Sequence, residues 1–165
     1  MKIAPIAATE AAVLVPLLQD LHGLHVAHHP GRYPADPDPQ QLAIWMQEWL
    51  SGPNTTALLA RSPQGTVMGY LVYEIEDRAA LPVRMAERRA MVHHIAVAPP
   101  FRRIGVGKAL MEAMKRRALE DGATVIGVTY APFNTASAAL MRRLGLEPVL
   151  TVAEWRPEPS VAGSS

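Results

Sequence analysis

The sequence predicts a single α/β domain, because strand-like and helix-like patterns alternate along it and a glycine-rich turn joins one strand to one helix. Short apolar runs rich in β-branched residues are typical of strands, and apolar residues repeating every three to four positions are typical of amphipathic helices. With 165 residues, 49% of them hydrophobic, the chain can bury one sizeable core. We expect one domain over residues 1–156 and a polar C-terminal tail over 157–165.

Composition narrows the possible functions. Sixteen Lys and Arg residues against fifteen Asp and Glu residues give a net charge of +1, so there is no strongly basic surface and we expect no nucleic-acid partner. The absence of cysteine excludes disulfides, thiolate metal ligands and a cysteine nucleophile, and it suits a reducing compartment. Glu10 and Pro16 interrupt the apolar N-terminal run, which is typical of neither a signal peptide nor a membrane span. We expect a cytoplasmic protein that does not contact a membrane.

Local patterns place the secondary-structure elements. The predicted strands span residues 2–7, 55–61, 66–76, 91–97, 124–130 and 147–155. The predicted helices span residues 9–28, 39 to the Gly52-Pro53 pair, 105–122 and 134–145. Pro16 weakens or splits the first helix, Asp38 caps the second, and Asn134 caps the last. Pro99 and Pro100 end the strand before them because proline cannot donate to a sheet ladder.

The stretch VAPPFRRIGVGKAL, residues 97–110, combines a strand end, two prolines, glycines and a helix start. Unpaired N–H groups and the positive end of the helix dipole favour a phosphate or pyrophosphate there. Gly105 and Gly107 would let the backbone approach the anion, since neither carries a side chain. Arg102, Arg103 and Lys108 would supply positive charge.

Two better-known phosphate motifs fail on spacing. A P-loop needs glycine where Arg102 stands and Ser or Thr where Ala109 stands. The dinucleotide fingerprint needs glycine where Leu110 stands. On these residues alone, the alternative is an ordinary strand-to-helix turn with exposed arginines.

Two stretches together resemble the signatures of the GCN5-related N-acetyltransferases (GNAT family). The first is Ile95-Ala96-Val97 followed by Arg102-x-x-Gly105-x-Gly107, and the second is NTASAALMRRLGL, residues 134–146. The order of elements over residues 1–155 is similar to that family's β-α-α-β-β-β-α-β-α-β plan. The resemblance implies the GNAT fold, a mixed, mostly antiparallel central sheet flanked by helices, with a splayed parallel strand pair at the cofactor site.

The same resemblance implies acetyl-CoA as acyl donor and an amine acceptor, either a small molecule or a peptide or protein amine. The amides of residues 103–108 would hold the pyrophosphate, while Asn134 and the backbone of Ile95 and Val97 would bind the pantetheine arm. The implied cofactor-binding residues are Ile95, Ala96, Val97, Arg102, Arg103, Ile104, Gly105, Val106, Gly107, Lys108 and Asn134. An amide near Val97 would stabilise the oxyanion during direct attack. Since subunits of this family often pair, a homodimer is a further expectation.

A protonated amine must lose a proton before it attacks, because a lysine-like amine has a pKa of ~10.4. We predict His93 as the base, and some arylalkylamine acetyltransferases of the family have histidine at the matching position. Strand alternation puts His93 on the face of Ile95 and Val97, and His94 on the other face. The alternative is a partly buried histidine tied to a neighbour.

The departing coenzyme thiolate can also take up a proton. The family commonly places a tyrosine seven residues after the helix-capping asparagine, and here that position is Met141, which cannot donate. Tyr130 is the candidate replacement, although a tyrosine at a strand end also serves packing. Because Met141 replaces the tyrosine that is common in the family, an alternative function stays open: an acyl-CoA-binding module with weak or no turnover.

Histidines cluster in HGLHVAHHPGRY, residues 22–33. Their spacing of three to four would suit two metal ligands on a helix, but no acidic or thiol ligand accompanies them. We therefore predict no metal site. In the GNAT family the segment between the first two helices commonly lines the acceptor site, so this cluster and Tyr33 would shape the substrate pocket; the alternative is a solvated surface loop.

Overall fold

A computed structural model describes residues 1–157 of the chain. The strands are β1 (Lys2–Pro5), β2 (Thr55–Arg61), β3 (Val67–Arg78), β4 (Glu87–Val97) and β5 (Val125–Val128). The α-helices are α1 (Val15–His28), α2 (Pro39–Leu50), α3 (Val106–Glu120) and α4 (Thr135–Arg143). Two 3₁₀ helices, Ala8–Leu14 and Pro99–Phe101, precede α1 and follow β4. None of the helices in the described part of the chain is long and apolar enough to cross a membrane.

The five strands of the described part of the chain form one sheet in the order β1-β2-β3-β4-β5. Each of the first three neighbouring pairs is antiparallel, and β4 pairs with β5 in parallel. The parallel pair requires a crossover, which α3 provides. The predicted mixed, mostly antiparallel sheet is therefore confirmed.

Helices cover both faces of the sheet, and each face has its own apolar cluster. On one face α3 packs through Val106, Leu110 and Met114, all nearly inaccessible to solvent, against Leu71 and Val92. On the opposite face the first 3₁₀ helix, α1 and α2 pack on β2 and β3; the buried residues there are Leu14, Leu17, Leu18, Met46, Leu59, Tyr70 and Val72. Alternate residues of β3 thus enter different clusters, as a strand buried on both faces requires.

Proline and capping residues set the helix boundaries much as predicted. Pro16 splits the first predicted helix into the 3₁₀ helix and α1, where it occupies the first turn because a missing N–H costs little there. The Asp38 side chain accepts a hydrogen bond from the backbone N–H of Gln40 at 2.9 Å and so caps α2.

The predicted last strand over residues 147–155 is wrong. The chain has no helix or strand over 147–157, and this segment is exposed. The strand prediction rested on its apolar and β-branched residues, but a strand also needs a neighbour, and 147–155 joins no pairing of the described sheet. Of the predicted tail, residues 158–165 lie outside the described residues.

Candidate active site

The parallel strands β4 and β5 separate after Val92. Their pairing ends at Val92 opposite Val128, where β5 stops, whereas β4 continues to Val97. Within residues 1–157, positions 93–97 of β4 consequently lack a strand on their β5 side. The splayed parallel pair predicted from the sequence is confirmed.

Backbone groups of Ile95 and Val97 point into this gap. The Ala98 N–H donates to the carbonyl of Met68 at 2.9 Å, on the β3 side. Because backbone groups alternate in direction along a strand, those of Val97 and Ile95 point the other way. There the Val97 carbonyl accepts a hydrogen bond from Nε of Arg102 at 3.0 Å. The gap therefore presents a strand edge to which an extended ligand can add.

A loop with free amides lies at the end of the gap, where α3 begins. Among residues 1–157, the backbone N–H groups of 103–108 make no well-aligned hydrogen bond, whereas the flanking N–H groups of Arg102 and Ala109 bond to Pro99 and Gly105. Arg103 and Gly105 both have left-handed backbone, with φ of 62° and 93°. Turns of this kind direct successive amides to one side, and the helix dipole adds positive potential. Six consecutive free N–H groups make this loop a strong candidate for anion binding.

The two glycines of the loop have different roles. Gly105 has a positive φ and open space around it, so it provides the turn into α3. A Cβ on Gly107 would instead lie 3.2 Å from Leu140 Cδ2 and 3.7 Å from Val97 Cγ2. The missing side chain of Gly107 therefore lets α3 pack closely against α4 and β4, and its role in admitting the anion stays a prediction.

The charged side chains of the loop are exposed. Arg103 and Lys108 project from the surface, and Lys108 faces Glu112 at 3.6 Å. Ile104 is two-thirds exposed and Val106 is buried beneath the loop. Asn134 uses its side-chain oxygen to accept from the Ser137 N–H at 3.1 Å, which caps α4 and leaves its NH₂ group as a donor. The cofactor roles of all these residues stay predictions.

A β-bulge places His93 differently from the prediction. The register runs from Val72 opposite His94 to Tyr73 opposite Val92, so His93 is the extra residue. Val92 and Ile95 therefore pack on the same α3-side cluster although they are three residues apart. The predicted face of His93 is wrong, because the bulge reverses the alternation and turns both histidines toward α2. Trp49 of α2 contacts both, with ring centroids 5.6 Å from His93 and 5.1 Å from His94.

Glu74 of β3 is the functional candidate that the sequence analysis missed. Its Oε2 lies 3.1 Å from Nε2 of His93, and its Oε1 accepts hydrogen bonds from Trp49 Nε1 at 2.5 Å and Thr55 Oγ1 at 3.2 Å. Desolvation would raise the pKa of Glu74, but the Trp49 hydrogen bond, the adjacent imidazole and Thr55 together lower it below the ordinary value. Glu74 is thus a carboxylate fixed beside the predicted base. Only the bulged register, which the sequence does not reveal, brings the two residues together.

His94 has a different environment. Burial lowers its pKa to about 4, and His93 and His25 reinforce the shift. Its Nδ1 lies 3.4 Å from the hydroxyl of Tyr70, whose own pKa is raised by burial. His94 is therefore a neutral packing residue at physiological pH.

The position of the family's tyrosine and its candidate replacement, Tyr130, both lie in or against the α3-side cluster. Met141 is fully buried in the α3-side cluster, so the position of the usual tyrosine is filled by core packing. Tyr130 is half-buried beyond the end of β5 and packs against the same cluster. Its predicted catalytic role stays a prediction.

Histidines in the second half of α1 form an aromatic cluster with Tyr33, in the loop after α1, and with Phe133, in the loop after β5. His28 stacks on Phe133 at 4.1 Å between ring centroids, and His25 contacts both Phe133 and Tyr33. Nδ1 of His25 and of His28 each bond to the backbone carbonyl four residues earlier. α1, which carries these two histidines, contacts β4, and His25 is close enough to His94 to lower its pKa.

Comparison with known proteins agrees with this fold. The chain resembles a mutant of the BH1408 protein from Bacillus halodurans, with a TM-score of 0.85 and 18% identity over 95% of this chain and 99% of that one. It also resembles aminoglycoside N-acetyltransferase AAC(6')-Iy in complex with CoA (TM-score 0.72, 21% identity, 96% and 95% coverage). A third structure is ribosomal-protein-alanine N-acetyltransferase from Brucella melitensis biovar Abortus 2308 (TM-score 0.68, 20% identity, 94% and 99% coverage). The pattern of the acetyltransferase (GNAT) family matches residues 18–146, and the chain therefore belongs to that family.

Proposed function

We propose that this protein transfers an acetyl group from acetyl-CoA to a primary amine by direct attack. The observation that carries the proposal is the run of free amides at residues 103–108 beside the gap between β4 and β5. A diphosphate on the loop and an extended arm along β4 would together satisfy the two sets of unpaired backbone groups. The CoA complex of the structural neighbour AAC(6')-Iy supports this donor.

In this proposal the donor would lie along the exposed edge of β4. The arm would pair with the backbone of Ile95 and Val97, and the NH₂ group of Asn134 would donate to it. The N–H of Val97 would face the thioester carbonyl and stabilise the oxyanion that forms on attack. The amine nitrogen bonds to the acetyl carbon, the carbon–sulfur bond breaks, and CoA leaves as its thiolate.

His93 would take a proton from the acceptor's ammonium group before the amine attacks. A histidine base needs neither full exposure nor deep burial, and His93 is about one-third exposed. The Glu74 carboxylate 3.1 Å away would stabilise the imidazolium that results. Trp49 and Thr55 hold that carboxylate in place, which supports a base of fixed orientation.

The acceptor would approach from the α2 side of the sheet. A cleft of about 500 Å³ reaches Glu74, and its lining also includes Glu76 and Asp77. These carboxylates favour a positively charged amine over a neutral or anionic acceptor. The rings of Tyr33, Trp49 and Phe133 would contact apolar parts of the acceptor. Small-molecule amines and peptide amines both satisfy these conditions. The cytoplasmic location of the protein stays a prediction.

A second candidate function is a CoA-binding module with weak turnover. Met141 favours it, because a fully buried thioether replaces the hydroxyl donor common in the family. The two functions differ in a thiol-release assay with acetyl-CoA and a panel of amines that includes a diamine, a phenylalkylamine, an aminoglycoside and a peptide with a free N-terminus. Turnover well above hydrolysis with any amine supports transfer, whereas CoA binding without turnover on the whole panel supports the module.

A further inference from the structure

Arg89 of β4 is a charged residue that the proposed function does not use. Its side chain is only 18% exposed, and its Nε is shut off from solvent with no hydrogen-bond partner among residues 1–157. Its one ion-pair partner in the described chain is Glu87, whose Oε2 lies 3.7 Å from Nη1, too far for a strong hydrogen bond. Because a largely buried guanidinium normally has partners for its donors, Arg89 is an incompletely paired positive charge.

The residue opposite Arg89 does not neutralise it. Glu76 is the partner of Arg89 in the β3–β4 register, and opposite charges at such positions can pair across two strands. The carboxylate of Glu76 instead pairs with Arg78 at 2.9 Å. Arg89 is therefore available to an anion that comes from outside the chain.

Gly127 lets the side chain of Arg89 lie over β5. Ala90 belongs to the α3-side cluster, so Arg89 and Met91 face the other side of the sheet. A Cβ on Gly127 would lie 3.0 Å from Nη2 of Arg89 and 2.7 Å from Sδ of Met91. Gly127 pairs with Met91, two positions beyond Val125, which is the partner of Arg89. The guanidinium therefore extends along the sheet toward the end of β4 at which the strand gap opens.

The residues Glu74, Met91 and Gly127 form one row across the sheet. Met91 pairs with Glu74 of β3 on one side and with Gly127 of β5 on the other. The Arg89 guanidinium lies at the Gly127 end of this row, and the Glu74 carboxylate, 3.1 Å from His93, lies at the other end. Because neighbouring strands are about 4.8 Å apart, the two opposite charges stand roughly 10 Å apart on the same face of the sheet.

We infer, on the basis of the proposed function, that the acceptor carries a carboxylate as well as its amine and that Arg89 binds this carboxylate. The proposed function places the amine beside His93 and Glu74. A guanidinium binds a carboxylate through two parallel hydrogen bonds, so each charge of the acceptor would face an opposite charge of the protein. The carboxylates of the cleft select a protonated amine, and Arg89 adds a second condition at the other end of the acceptor.

The spacing of the two charges selects the kind of amino acid. A ligand that contacts both at hydrogen-bond distances of about 3 Å carries its own charges at least roughly 4 Å apart. The amine and the carboxylate of an α-amino acid share one carbon and are closer than this. A chain of several methylenes would instead cross the row over Met91, whose thioether packs readily against apolar groups. The acceptor is thus an ω-amino carboxylate, such as a free basic amino acid that reacts at its side-chain amine.

A pair of matched acceptors tests the role of Arg89 in a thiol-release assay with acetyl-CoA. ε-Aminocaproate and hexylamine have the same chain length and one primary amine, but one ends in a carboxylate and the other in a methyl group. The unaltered protein is expected to prefer ε-aminocaproate at least about tenfold in kcat/KM, mainly through a lower KM. Arg89→Gln should remove most of this preference. Arg89→Lys should remove part of it, because lysine keeps the charge but not the fork of donors.

Arg61→Gln is the matched control. Arg61 is also an arginine of the sheet, but it donates to the Gly65 carbonyl at 3.0 Å in the turn between β2 and β3, so its loss should leave the preference in place. Equal kcat/KM for the two acceptors in the unaltered protein would overturn the carboxylate site. A preference that persists in Arg89→Gln would also overturn it, and in both cases amine acetylation itself would stand.

A binding measurement separates failure of the carboxylate site from failure of the proposed function. If neither amine is turned over, calorimetric titration of the protein with CoA present, using the same two compounds, still tests Arg89. Stronger binding of ε-aminocaproate than of hexylamine, weakened at least about fivefold by Arg89→Gln, supports the site. Equal binding of the two compounds, or no binding of either, contradicts it.

Discussion

Glu74 and His93 face each other across β3 and β4, with Oε2 3.1 Å from Nε2. Their closeness depends on the bulge, since His93 has no direct partner in the β3 register. Trp49 and Thr55 fix the other carboxylate oxygen, so one rotamer of Glu74 is held against the imidazole. If the proposed function is right, this pair performs the proton transfer.

Replacing His93 tests the proposed base. His93→Gln is expected to lower kcat by roughly 10²–10⁴-fold, the usual range for loss of a general base, because the attacking amine stays protonated. CoA affinity, measured by calorimetry, should change less than about twofold, since His93 lies off the edge proposed to bind the arm. Glu48→Gln on the exposed side of α2 is the control. Equal rates for the two variants across pH 6–9 (roughly the range in which such bases act) would remove His93 from the mechanism.

Glu74 is expected to act through His93 and not through binding. Glu74→Gln keeps an oxygen that can accept from Trp49 but loses the charge, so kcat should fall about tenfold while KM changes little. Glu76 lies on the same strand face and pairs with Arg78 at 2.9 Å. Glu76→Gln is therefore expected to raise KM for a cationic acceptor more than it lowers kcat. If Glu74→Gln and Glu76→Gln change kcat and KM in the same proportions, Glu74 does not act through His93.

The turn at Gly105 can be tested without altering charge. Gly105→Val places a β-branched residue at φ 93°, a conformation that costs on the order of 1–3 kcal/mol and that the variant would avoid by reshaping the loop. CoA affinity should fall at least about fivefold. Arg103→Gly is the comparison, because Arg103 also has positive φ and glycine relaxes it. If the backbone, and not the guanidinium, holds the anion, Arg103→Gly should lose less CoA affinity than Gly105→Val. A larger loss in Arg103→Gly than in Gly105→Val would contradict that view.

His94 should make stability depend on pH. Because its folded pKa is about 4 and a free histidine has about 6.5, the unfolded chain binds the extra proton between these values. Stability is therefore complete above about pH 6.5 and falls as pH decreases toward 4, by on the order of 3 kcal/mol from this residue. Urea unfolding at pH 7.5 and at pH 5 measures this loss of folding stability. His94→Asn should reduce the difference between the two pH values, and an unchanged difference would exclude His94 as its source.

Much of the fold could be predicted from local signals. The caps Asp38 and Asn134 and the proline at the start of α1 act within one helical turn, so their sequence pattern is sufficient. The start of β4 at Glu87 could not be predicted from sequence, because Glu87, Arg88 and Arg89 have the composition of a charged loop. Pairing with β3 extends the strand to Glu87, and the ion pair of Arg88 with Asp77 crosses between the two strands.

The parts that sequence could not predict depend on pairing between distant residues. The bulge at His93 is a property of the β3–β4 register and has no local pattern, so the face of His93 and the role of Glu74 were both hidden. Residues 147–155 have the composition of a strand, but whether a strand forms depends on a partner. The close packing at Gly107 depends on Leu140, which is distant in sequence.

Calorimetric titration of the unaltered protein with acetyl-CoA tests the central claim most directly, namely that the amides of residues 103–108 hold a diphosphate at the gap between β4 and β5. We predict saturable binding of one acetyl-CoA per chain, with affinity that weakens when Gly105→Val is introduced. Absence of any heat or saturation at high protein concentration, together with an empty gap in crystals soaked with acetyl-CoA, would contradict it.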